Sequence, residues 1–154
     1  MSWKTILVPH DFSASANHAA ATARDEAKLH GAKILLLHVI ELPGQISQDA
    51  AIMPEANGGA PVTVREFATQ GAERHLADIS ARLVKDGAHP QSFIRFGKPS
   101  EEIIQFAEEN QVDLIVMGTH GRSGLAHLLL GSVTERVVRA SKIPVLAVPG
   151  GHHE

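Results

Sequence analysis

Ile34-Leu35-Leu36-Leu37 has no polar side, and that continuity constrains the fold more than any other feature of the chain. A strand with one wet face alternates apolar and polar residues, whereas a strand covered on both faces reads as an unbroken apolar run. The run extends over Lys33 to Ile40, and four others behave alike: Thr5 to Val8, Ser92 to Phe96, Asp113 to Met117 and Pro144 to Val148. Cover for both faces has to come from the segments between them, and these have helical spacing. Ala16, Ala19, Ala20, Ala23 and Ala27 form one stripe, and Ala72, Leu76, Ile79 and Leu83 a second. Ile103, Ile104 and Ala107, entered through Pro99, mark a third helix; Val133, Val137 and Ala140 mark a fourth. Strand and helix alternate throughout, which predicts right-handed crossovers and an open, mostly parallel α/β sheet with helices on both faces.

Composition narrows the function classes. A chain of 154 residues, 44% hydrophobic and 20% charged, can bury one core without disulfides or metals. A formal net charge of -3 offers no positive field for nucleic acid or anionic membranes, so neither is an expected partner. Cysteine is absent, which excludes disulfide scaffolds, iron-sulfur clusters and thiol chemistry. No apolar run approaches the roughly 20 residues that span a bilayer, and Met1 to Lys4 lacks the features of a secretory signal. The expectation is a cytoplasmic protein with one domain over residues 1–149 and a tail over 150–154. Glu41 to Thr63, with Gly58-Gly59 and three prolines, is expected to be a flexible loop.

The chemistry concentrates after the fourth strand. Met117-Gly118-Thr119-His120-Gly121-Arg122-Ser123-Gly124 leads into a short apolar segment and then Gly131-Ser132-Val133-Thr134-Glu135, which opens the fourth helix. Ser132 and Glu135 have the spacing of a capping box. A helix start presents unpaired N–H groups and the positive end of the helix dipole, which together favour an anion. Gly118 and Gly121 suit a sharp turn and close ligand approach, and Arg122 can set a planar cation beside a phosphate. The spacing matches neither the G-x-x-x-x-G-K-[ST] loop nor the dinucleotide G-x-G-x-x-G, so the phosphate site is of another type.

A second constellation, Pro9-His10-Asp11-Phe12-Ser13, follows the first strand. A carboxylate at a strand's carboxyl end lies where open α/β sheets bind ligands, and it can accept hydrogen bonds from a ribose or an adenine amino group. Asp11 and Ser13 are equally suited to capping the first helix. His120 and His127 have no partner at metal-ligand spacing, so no metal site is expected, and His38 suits a core or cleft position.

The Asp11 loop, the segment Phe96-Gly97-Lys98-Pro99 before a helix, and Gly118-x-x-Gly121 followed after nine residues by Gly131-Ser132 resemble the universal stress protein family over nearly the whole chain. In that family the two-part glycine motif marks the ATP-binding branch. The resemblance implies a Rossmann-like five-stranded parallel sheet in the order 3-2-1-4-5, with the Asp11 and Gly118 loops facing one crevice. It further implies that Pro9, Asp11 and Val39 surround adenine and ribose with Met117 and Gly118 nearby, while Gly121, Arg122, Gly131, Ser132, Val133 and Thr134 receive the phosphates.

One arginine and one helix end do not balance a triphosphate, so ATP is expected with Mg²⁺ or Mn²⁺. The implied role is a regulatory nucleotide in the stress response. Slow ATP hydrolysis or autophosphorylation is the first alternative, although phosphoryl transfer needs a base or water-positioning group and none is evident; no catalytic residue is assigned. A module sensing another adenine nucleotide, such as cyclic AMP, is the second. Relatives pair through the last strand, which implies a homodimer through Val145 to Val148.

Overall fold

The computed structural model describes residues 2–54, 58–120 and 130–150. In chain order the elements are β1 (Thr5–Pro9), α1 (Ala14–His30), β2 (Lys33–Ile40), β3 (Ala51–Ile52), β4 (Val62–Thr63), α2 (Val64–Lys85), β5 (Pro90–Phe96), α3 (Pro99–Glu109), β6 (Leu114–Gly118), α4 (Ser132–Ala140) and β7 (Val145–Val148). The five longer strands form one sheet ordered β5-β2-β1-β6-β7, parallel at every pairing. With β3 and β4 set aside, this is the expected 3-2-1-4-5 order.

The unbroken apolar runs divide between two cores, as their periodicity of two requires. Ile6, Val8, Ile34 and Leu36 point to the face covered by α1 and α2, where they meet the alanine stripe of α1 and Leu76, Ile79 and Leu83 of α2. Leu7, Leu35, Leu37 and Ile115 point to the opposite face, against Ile103 and Phe106 of α3 and Val137 of α4. Fully burying a leucine or isoleucine contributes about 2–3 kcal/mol, so the doubly covered strands carry most of the stability.

Pairing is uneven across the sheet. β1 runs beside β2 from Thr5↔Lys33 to Pro9↔Leu37, and β2 beside β5 from Ile34↔Pro90 to Ile40↔Phe96. The join between β1 and β6 is limited to Ile6↔Leu114 and Leu7↔Ile115. Below it, Asp113 Oδ2 accepts the backbone N–H groups of Lys4 (2.8 Å) and Thr5 (2.9 Å).

Local signals set the helix ends. The Ser13 hydroxyl caps α1 by accepting the Ala16 N–H, and Gly31 closes it at φ 67°, a left-handed position that glycine takes without a Cβ penalty. Thr63 and Glu66 form a reciprocal capping box at the start of α2, and Pro99 occupies the first turn of α3. Within the long segment Glu41 to Thr63, β3 and β4 make a two-stranded antiparallel ladder, Ala51↔Thr63 and Ile52↔Val62, that hydrophobic periodicity does not announce. Among the described residues no helix is long and apolar enough to cross a membrane.

Candidate functional site

β1 leads to β2 on one side and has β6 on the other, so the chain switches direction across the sheet between their carboxyl ends. Open α/β sheets bind ligands at such a point. A cavity of about 520 Å³ opens there, floored by the ends of β1, β2 and β6 and walled by the β1–α1 loop, the first turns of α3 and the start of α4. That volume is within the range of small-ligand sites, roughly 300–1,000 Å³.

The cavity brings together Pro9, Asp11, Val39, Met117, Gly118, Gly131, Ser132, Val133 and Thr134. Gly121 and Arg122, expected on the phosphate side, lie outside the described residues. The apolar wall includes Leu37, Val39, Ile40, Ile103 and Met117; the polar groups include Asp11, His10, Ser13, His38, Glu41, His120 and the α4 end. Sequence reasoning did not assign His10, Ile103 or His120 to the site. Their signal was positional: each stands one to four residues from an assigned residue or from a helix start.

The α4 end corrects one expectation. Ser132 and Glu135 do not form a capping box: Gly131 is the N-cap, Ser132 is already the first helical residue, and among the described residues no side chain caps the helix. The helix starts one residue earlier than the box requires, so Ser132 lies inside the first turn instead of at the cap, and the Glu135 N–H bonds the Gly131 carbonyl at 2.9 Å. Among the described residues no cap therefore covers the first-turn N–H groups of Ser132, Val133 and Thr134, and these residues line the cavity at the positive end of the helix dipole.

Two further contacts fix that end in place. The buried Thr134 hydroxyl donates to the Gly118 carbonyl at 2.7 Å, tying α4 to the tip of β6. The missing side chain of Gly118 serves helix packing more than turning: a Cβ there would collide with the Ser15 hydroxyl and come within 2.8 Å of the Ser15 backbone. Gly150, the first residue of the expected tail, also lies against Ser15: a Cβ there would come within 3.2 Å of the Ser15 Cα.

On the other wall, each polar residue of the β1–α1 loop bonds the backbone two or three residues ahead. His10 Nδ1 accepts the Phe12 N–H (3.0 Å), Asp11 Oδ1 accepts the Ser13 N–H (3.0 Å) and Ser13 Oγ accepts the Ala16 N–H (3.1 Å). Ser13, not Asp11, is the helix cap, which leaves the Asp11 carboxylate at the cavity wall with one oxygen engaged in the turn. Burial draws the His10 imidazole down to about 4, against the opposing pull of its bond to Asn17 and of Asp11. Among the described residues, no group of three or more His, Asp or Glu side chains could hold a metal ion.

Comparison with known proteins gives a consistent result. The model of the universal stress protein family matches residues 2–149. Universal stress protein MJ0577 of Methanocaldococcus jannaschii is 35% identical over 153 residues, covering 95% of this chain and 94% of that protein. Its solved structure superposes with a TM-score of 0.76, covering 97% of each chain. A universal stress protein of Thermus aquaticus is 34% identical over 150 residues, covering 95% of this chain and 98% of the relative. A universal stress protein solved in complex with cAMP superposes with a TM-score of 0.69 at 25% identity, covering 97% of this chain and 98% of that one.

Proposed function

Because the chain belongs to the universal stress protein family, we propose that its cleft binds an adenine nucleotide, ATP foremost, as a regulatory ligand in a cytoplasmic stress response. The observation that carries this reading is the pairing of an uncapped helix start with a carboxylate across one cavity. A nucleotide needs both: N–H donors and a positive dipole for phosphate, and an acceptor for ribose hydroxyls or an adenine amino group.

The residues present fit such a ligand. Pro9, Asp11 and Val39 enclose adenine and ribose, with Met117 and Gly118 at the floor. Gly131, Ser132, Val133 and Thr134 take the phosphates together with Gly121 and Arg122. The Thr134 hydroxyl is committed to Gly118, so its share is the backbone N–H. Mg²⁺ or Mn²⁺ enters on the triphosphate and neutralises charge that one helix end and one arginine leave unbalanced. The role is binding rather than turnover, and the working form is a homodimer joined through Val145 to Val148.

Titration calorimetry of the purified protein with MgATP tests the reading, alongside mass spectrometry of the native protein for a copurifying nucleotide. Saturable binding is expected, with Asp11→Ala weakening ATP but sparing inorganic tripolyphosphate. No heat and no thermal shift at millimolar MgATP would remove the proposal.

A second reading, that the physiological ligand is cyclic AMP, is favoured by the relative solved with that nucleotide. A competition titration separates the two: displacement of ATP by cyclic AMP at lower concentration supports the cyclic nucleotide.

A further inference from the structure

Every polar group of His10 is engaged. Its N–H donates to Leu37 O (2.8 Å) in β2, and its carbonyl accepts from His38 Nδ1 (2.7 Å). Its Nδ1 accepts the Phe12 N–H at 3.0 Å, which requires that nitrogen to be unprotonated. The ring proton is then on Nε2 and is donated to Asn17 Oδ1 at 3.0 Å in α1. One residue, 3% exposed, thus joins the loop to β2, to α1 and to itself.

Phe12 shows what this joint holds. Its φ is 69°, in the left-handed region that bulky residues avoid. The turn is kept there by the Phe12 N–H bond to His10 and by ring stacking on His38 (centroids 4.1 Å apart) and on His75 of α2 (4.6 Å). Asp11 lies between His10 and Phe12, so the same turn sets where its carboxylate stands. The charged and titratable groups bearing on the imidazole are Asp11 from the loop, His38 from β2 and Arg82 from α2, with His75 beyond the Phe12 ring.

We propose that His10 is a positioning residue of the nucleotide site, whose bare Nδ1 fixes the turn that presents the Asp11 carboxylate to the cleft. This rests on the nucleotide reading above and deepens it. The i to i+2 bond from His10 is the one an asparagine side chain makes in an Asx turn, so His10→Asn preserves that bond while His10→Leu removes it and loosens the turn. Because His10 acts through Asp11, losing both must cost little more than losing one.

The test is calorimetry on the full chain with MgATP and, separately, with inorganic tripolyphosphate. His10→Leu is expected to weaken ATP roughly tenfold, as loss of an aligned charged acceptor would. His10→Asn returns affinity to within about threefold of wild type, and in the His10→Leu background Asp11→Ala adds less than about twofold. Tripolyphosphate binding stays level. Equal loss of both ligands in His10→Leu, or fully additive losses in the double variant, would overturn the proposal.

If circular dichroism shows the leucine variant unfolded, Asn17→Ala takes its place in the cycle with the same pattern expected at smaller amplitude. Wild type failing to bind MgATP would count against the nucleotide reading instead. The Phe12 and Ser13 amide resonances of the unliganded protein then decide for His10: a shift in His10→Leu that His10→Asn reverses supports the joint, and unmoved resonances overturn it.

Discussion

Protonating His10 would put a second N–H against the Phe12 N–H, so acid works directly against the turn this residue holds. Its ordinary value of 6.5 falls to about 4 in the folded protein because of burial. The unfolded chain takes up the proton first, so this contribution to stability is complete above pH 6.5 and is lost as pH falls toward 4. The loss should approach about 3 kcal/mol. Urea unfolding at pH 7, 5.5 and 4 checks it, and His10→Asn should lack that part of the decline; equal slopes for the two proteins would reject the assignment. Little of this was legible in the sequence, which showed a histidine beside an aspartate and gave no sign that one would hold the turn for the other. Asp11 could be placed at the cleft, but which of Asp11 and Ser13 caps α1 needed coordinates, because both are good caps and only geometry shows that the Ser13 hydroxyl reaches Ala16. Ser132 misled for a related reason: a one-residue shift of the helix start removes a capping box that spacing alone supports.

At the scale of elements, periodicity was a good guide because burial on both faces leaves an unbroken apolar signature. The five strands and four helices of the main layer stand where their stripes put them, to within two or three residues at the ends, except that α2 begins at Val64, well before its stripe starts at Ala72. β3 and β4, at two residues each, are too short to show any period. The fourth helix, whose start lines the cavity, has the least apolar anchoring of the four, with Val137 as its fully buried aliphatic side chain. Its position depends correspondingly on the bond from Thr134 to Gly118. Thr134→Val keeps the shape, leaves the Gly118 carbonyl without that donor, and should cost about 1–3 kcal/mol of stability. Phosphate-end affinity should fall with it, and tripolyphosphate titration together with thermal unfolding reads both. Unchanged affinity despite lower stability would show that the helix start holds its place without this tie.

The molecule as a whole leaves β7 at one edge of the sheet, paired on one side with β6 from Ile115↔Val145 to Gly118↔Val148. An unpaired strand edge is a template for another chain, and Leu146 is exposed at 37%. Two copies related by a two-fold axis would pair these edges antiparallel, over a short register bounded by Pro144 and Pro149. Sedimentation at micromolar concentration should therefore show a dimer for wild type and a monomer for Leu146→Pro, and a wild-type monomer would sink the strand-pairing proposal. The other consequence of the sheet lies at its middle. β5, β2 and β1 are laced together over long registers, β6 and β7 form a second panel, and between β1 and β6 the ladder is two residue pairs long, closed below by the Asp113 bonds to Lys4 and Thr5. The cleft is the mouth of that seam. A ligand reaching from the Asp11 turn to the start of α4 would clasp the two panels like a buckle, at the open end of a seam that both cores already bridge from above and below the sheet.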